Sequence, residues 1–140
     1  MAARSLAVAF AAGLALFLGA CGYTPSALDS WPEKPSCGRW ENRNEPVSAD
    51  QRGKNHCILG ALADGRRAEL IVTYHTIEGD PITEYYRVLG PGRVESFVDS
   101  TRDSYGSRKW AHFLCRGIGE DGGYLFGENC REIPVDERVS

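Results

Sequence analysis

The stretch Tyr74-His75-Thr76-Ile77-Glu78-Gly79-Asp80-Pro81-Ile82 closes one β-rich run, turns, and opens the next. Gly79 permits a positive φ, Asp80 can accept backbone N–H groups in an Asx-type turn, and Pro81 stiffens entry to the second run. Upstream, Leu70, Val72 and Tyr74 alternate with Ile71, Thr73 and His75, which is the period of a strand. Downstream, Ile82 to Leu89 is rich in β-formers, with Tyr85 and Tyr86 on opposite faces. A connection this short leaves no room for a crossover, so the two strands are antiparallel.

The pattern continues outward on both sides. Gly90-Pro91-Gly92 is a tight turn into a third strand, Arg93 to Asp99, with Val94 and Val98 on one face and Phe97 on the other. A polar loop, Asp99 to Ser107, leads to a fourth strand, Lys109 to Ile118, with Phe113 and Cys115 opposite Trp110, His112 and Leu114. Tyr124 to Phe126 supplies a fifth. On the N-terminal side, Ser48-Ala49-Asp50-Gln51 matches a capping box, opening a helix that runs to about Asp64 with Gly65 as its stop. Cys57, Ile58, Ala61 and Leu62 share one face of it. The expected fold class is α+β: one N-terminal helix packed on a four- to five-stranded antiparallel meander sheet, stapled by disulfides.

Residues 1–20 read as a secretion signal, with Arg4 as the positive n-region and Leu6 to Leu18 as the apolar h-region. Leu18-Gly19-Ala20-Cys21 then resembles the bacterial lipobox, in which a leucine and two small residues precede the cysteine that takes a diacylglycerol thioether. Several acyl chains on Cys21 would anchor the chain stably at the extracytoplasmic face of the cell membrane. Residues 21–36 are expected to be the lipidated cysteine and a semi-extended tether, given Pro25, Pro32 and Pro35 among polar residues. Residues 37–140 then form one small domain. The composition leaves Trp31 free to dock on the domain or at the membrane interface.

With Cys21 set aside, Cys37, Cys57, Cys115 and Cys130 make an even number in an extracytoplasmic chain, which reads as two disulfides. The favoured pairs are Cys37–Cys57, pinning the preceding segment to the helix, and Cys115–Cys130, which flank the turn Glu120-Asp121-Gly122-Gly123. No Cys-x-x-Cys occurs and His56, His75 and His112 are scattered, so no metal or other cofactor is expected. The formal charge is −3, about −4 once Arg4 departs, and no basic cluster is present, which argues against nucleic acid.

Two stretches together carry a family resemblance. Thr76-Ile77-Glu78-Gly79-Asp80-Pro81-Ile82, followed by Asp99-Ser100-Thr101-Arg102-Asp103-Ser104-Tyr105-Gly106-Ser107, resembles an uncharacterised family of small bacterial secreted proteins and lipoproteins. That family has a Thr-x-Glu-Gly-Asp-Pro-Ile core and an Asp-x-x-x-Asp-x-Tyr/Phe-Gly loop, and is a domain of unknown function. The match covers roughly residues 66 to 116, and Tyr85-Tyr86-Arg87-Val88 with the Cys37 and Cys57 pair looks like its actinobacterial-type branch. The resemblance implies a fold and a location, and no reaction.

Glu78, Asp80, Asp99 and Asp103 fall at strand ends that a meander brings to one edge of the sheet, with Arg102 among them. Those five residues are the candidate binding set: four carboxylates and a guanidinium suit a divalent cation or an acid–base pair. The same residues are also ordinary turn chemistry. No Gly-x-Ser-x-Gly elbow occurs, and a serine triad through His75 or His112 has no supporting pattern. The tyrosines Tyr74, Tyr85 and Tyr86 with Trp110 read as sheet packing more than as a sugar platform. The expected function is therefore a lipid-anchored, non-enzymatic binding domain for an envelope protein or cell-wall component. The alternative is a small envelope hydrolase or divalent-cation-dependent enzyme using Glu78, Asp80, Asp99 and Asp103.

Overall fold

The computed structural model describes residues 22–31 and 36–139. The signal segment 1–20, the lipidation position Cys21 and residues 32–35 of the expected tether lie outside the described residues.

Strands β2 (Ala68–His75), β3 (Pro81–Gly90), β4 (Arg93–Asp99) and β5 (Trp110–Cys115) form the antiparallel meander that the alternating pattern predicts. Turn length sets their register, with Ile71 opposite Tyr85 and Thr73 opposite Thr83 across β2 and β3. The sheet is larger than the four or five strands expected. Two short strands extend it, giving six in the order β1-β2-β3-β4-β5-β8. β1 (Arg39–Asn42) pairs parallel to β2, and β8 (Arg131–Ile133) pairs antiparallel to β5. Both are too short for periodicity to reveal, and both pair with strands distant in sequence.

The expected fourth strand also stops earlier than read. It ends at Cys115, and the chain re-enters as a separate hairpin of β6 (Gly117–Asp121) and β7 (Tyr124–Glu128). Cys115 and Cys130 stand at the mouth of that hairpin and are joined, as are Cys37 and Cys57. Gly127 makes the junction possible, since a Cβ there would lie 2.5 Å from the Cys130 sulfur and 2.7 Å from that of Cys115.

The main helix, α2 (Ala49–Ala63), is not the first element, because β1 and a single helical turn, α1 (Ser26–Asp29), precede it. Ser48 caps it, its Oγ accepting from the Gln51 amide at 3.0 Å, and Gly65 ends it with φ +65°. The reciprocal half of the capping box does not form. Gln51 instead donates from Nε2 to the Gly123 carbonyl at 3.0 Å, tying the helix to the hairpin. Asn55 joins in, donating to Gly123 O and Glu120 Oε1 while its own Oδ1 accepts from Trp40 Nε1. On this helix face, Ile58 and Ala61 meet Leu70, Val72, Tyr86, Val88 and Val94 in one buried cluster.

The reverse face is covered too, and the expected tether does much of it. Pro25, Ala27 and Leu28 are buried, Ala27 and Leu28 packing on Phe97 with Tyr85 and Trp110 beside them. A buried polar row lies under this strap. Arg87 bonds through Nε to Glu69, approaches Glu95 at 3.6 Å, and donates from Nη2 to the Leu28 carbonyl at 2.7 Å. Glu95 in turn meets His112 Nε2 at 2.9 Å, and Trp31 lies against the guanidinium groups of Arg67 and Arg87. Residues 22–31 are therefore part of the domain. Their proline and polar content disguised two apolar side chains and a helical turn whose carbonyls accept from a buried guanidinium.

Candidate binding groove

Strand alternation and register decide which side chains the reverse face offers. Arg39, Ile71, Tyr85, Phe97 and His112 make one row across it, and Glu41, Thr73, Thr83, Asp99 and Trp110 make the next. The strap covers the β4–β5 half of these rows and leaves the β1–β3 half open. The open half is a groove of about 470 Å³ lined by Arg39, Glu41, Ile71, Thr73, Thr83 and Tyr85, with Arg102 reaching in from the β4–β5 loop.

Its chemistry is cationic over a hydroxylated floor. Thr73 Oγ1 and Thr83 Oγ1 lie 2.9 Å apart and share one proton between them, leaving further donor and acceptor capacity toward the groove. Burial, then the nearby carboxylates of Asp99 and Glu69, push the Tyr85 hydroxyl above its ordinary range, so it remains a donor at neutral pH. Glu41 is already engaged, 2.8 Å from Arg43 and 2.7 Å from His75 Nε2, and the His75 hydrogen bond holds its carboxyl below the usual value. Arg39 and Arg102 have no carboxylate partner among the described residues. Two uncommitted guanidinium groups above hydroxyls suit an oxyanion carried on a polyol or sugar.

The residues singled out from sequence do come to one end of the sheet, yet three of the carboxylates are engaged by loop backbone. Asp80 Oδ2 accepts from the Ser104 amide at 2.7 Å, which ties the β2–β3 turn to the β4–β5 loop. Asp103 Oδ1 accepts from the amides of Tyr105 and Gly106, and Asp99 Oδ1 accepts from the amide and hydroxyl of Thr101. Glu78 stands exposed at the turn tip. Among the described residues no group of three or more His, Cys, Asp or Glu side chains is placed to hold a metal ion. Arg102 alone of the five reaches the groove. Thr73, Thr83 and Arg39 went unread as site residues, although the alternation that puts Ile71 with Thr73 was visible.

A second cavity of about 350 Å³ lies at the opposite end of the sheet, lined by Arg93, Leu114, Arg116, Asn129, Arg131 and the Cys115–Cys130 bridge. It offers no side-chain hydroxyl, so it has less with which to orient a ligand. On the helix face, Glu84 is buried beneath the hairpin and accepts from Tyr74 at 2.9 Å and Ser96 at 2.6 Å. Burial raises its carboxyl despite those bonds. Ser96 is itself buried, so the cluster joins its hydroxyl, the Tyr74 hydroxyl and the Glu84 carboxyl behind the sheet.

Comparison with protein-family models, with curated proteins and with solved structures gives no match for this chain.

Proposed function

We propose that this chain is a lipid-anchored binding module of the cell envelope. Cys21 holds it at the outer face of the membrane, and the reverse-face groove recognises an anionic, hydroxyl-bearing envelope component. The observation that carries this reading is the placement of Arg39 and Arg102, without carboxylate partners among the described residues, over the hydroxyls of Thr73, Thr83 and Tyr85. Two disulfides suit an oxidising compartment, and the lipobox at Leu18 to Cys21 supplies the address. Binding is favoured over turnover because the carboxylate that lines the groove, Glu41, is already engaged by Arg43 and His75.

The test is the melting temperature of the full chain against glycerol phosphate and against glucuronate. Glycerol, glucose and ionic-strength-matched chloride serve as controls. The shared chemistry predicts a saturable rise with at least one anion and none with the controls. Which anion acts separates a phosphate source from a uronate one. Arg39→Ala and Arg102→Ala each remove a charge-assisted contact and should weaken that binding about tenfold, with little effect on the unliganded melting temperature because both side chains are exposed. A flat response to both anions, or an equal response in both variants, overturns the groove as the site.

A further inference from the structure

The end of the sheet that carries the β2–β3 turn and the β4–β5 loop is built unlike a solvated loop end. Ile77 is 97% exposed and Tyr105 is 81% exposed, the two most exposed large hydrophobic residues among those described. Neither sits on a loose loop. Thr76 closes the first turn, its amide donating to Asp80 O at 2.9 Å and its Oγ1 accepting from the Asp80 amide at 3.1 Å. Gly79 takes φ +93° there, a conformation side chains rarely adopt. Asp103 winds the second loop around the amides of Tyr105 and Gly106, and the Ser104–Asp80 bond fastens the two loops together. Two exposed apolar side chains are thus carried on loops that are tied to each other.

The start of the described chain arrives at this same end. Trp110, the first residue of β5, donates from its indole nitrogen to the Tyr23 carbonyl at 2.8 Å. Tyr23 is further fixed through its hydroxyl to Asp136, which also accepts from the Ser26 amide at 2.7 Å. Whatever precedes Tyr23 therefore joins the domain at the end of the sheet where β5 begins. Only Gly22 separates Tyr23 from Cys21, a chain distance of at most about 7 Å.

We infer that this end docks on the lipid bilayer, with Ile77 and Tyr105 entering the interface and Tyr23 lying at its edge. The inference rests on the reading of residues 1–21 as a membrane address. The contact is apolar in origin: Arg102, Arg108 and Lys109 share this end with Glu78, Asp80, Asp99 and Asp103, so these charged groups give it no net positive charge. An interfacial residue of this kind reaches about 5–10 Å into the headgroup and acyl boundary. Docking would orient the module on its anchor, holding the reverse-face groove side-on to the membrane.

The test uses the full chain recovered from membranes and reconstituted in phosphatidylcholine vesicles containing brominated lipid. Flotation reports anchoring, and tryptophan quenching reports docking. Ile77→Trp and Tyr105→Trp are compared with Arg116→Trp, an exposed position at the far end of the sheet, above the background of Trp31, Trp40 and Trp110. The expected result is flotation, with quenching in the two tip variants about twofold or more above that in Arg116→Trp, unchanged by adding phosphatidylglycerol or salt. Flotation with equal quenching in all three variants overturns docking and leaves anchoring intact. Quenching that requires phosphatidylglycerol and disappears in salt overturns the apolar contact. A chain that does not float overturns anchoring and docking together.

Discussion

Glu84 illustrates how one buried side chain sets a pH response. Burial beneath the β6–β7 hairpin raises its carboxyl, while hydrogen bonds from Ser96 and the tyrosines act in the opposite direction. A raised carboxyl keeps its proton in the folded chain at pH values where the unfolded chain has released it. Its contribution to stability therefore falls as pH climbs above about 4.3, the ordinary glutamate value. Glu41 and Asp136 have the opposite sign. Their carboxyls are held low by hydrogen bonds from His75 and from Tyr23, so their contribution is present above the ordinary range and lost as acid is added. Glu84→Gln keeps one oxygen acceptor and removes the penalty. Its melting temperature should exceed that of the native chain at pH 8, with the gap closing toward pH 4, as followed by calorimetry at about those values. Parallel profiles would mean that Glu84 bears no penalty. None of this was legible in the sequence, where Glu84 is one polar residue in a strand; its burial depends on a hairpin from distant residues.

At the level of elements, the strap of residues 22–31 and the row beneath it stand or fall together. Arg87 has one guanidinium for two carboxylates, Glu69 and Glu95, and it also satisfies the carbonyl end of α1. Arg87→Met leaves both carboxylates buried without that partner and should cost about 3–5 kcal/mol in urea unfolding. A loss under about 1 kcal/mol would mean that the row is solvated and contributes little. The meander β2–β5 was legible because its strands are long, alternate cleanly and are joined by recognisable turns. The α2 cap at Ser48 and stop at Gly65 were legible for the same local reason. β1, β8 and α1 were not, since each has three or four residues and pairs or packs only with partners remote in the chain.

The whole molecule presents two distinct surfaces: a braced apolar end, at which the described chain begins, and an open cationic groove on the reverse face. Glu78, Asp80, Asp99, Arg102 and Asp103 lie at one end of the sheet, as their places at strand ends imply. There the carboxylates mostly close loops, and only Arg102 belongs to the groove. The remaining groove residues emerge only when register sets Thr73 beside Thr83 and the parallel strand β1 brings Arg39 next to Ile71. A parallel neighbour across an intervening helix has no signature in local pattern. The groove is the central claim, and amide chemical shifts in the isotope-labelled full chain, titrated with glycerol phosphate and then glucuronate, test it most directly. Saturable shifts centred on Ile71, Thr73, Thr83 and Tyr85, moved to about tenfold higher ligand concentration by Arg102→Ala, are the predicted result. Shifts centred instead on Arg116, Asn129 and Arg131, or no shifts with either anion, would contradict it.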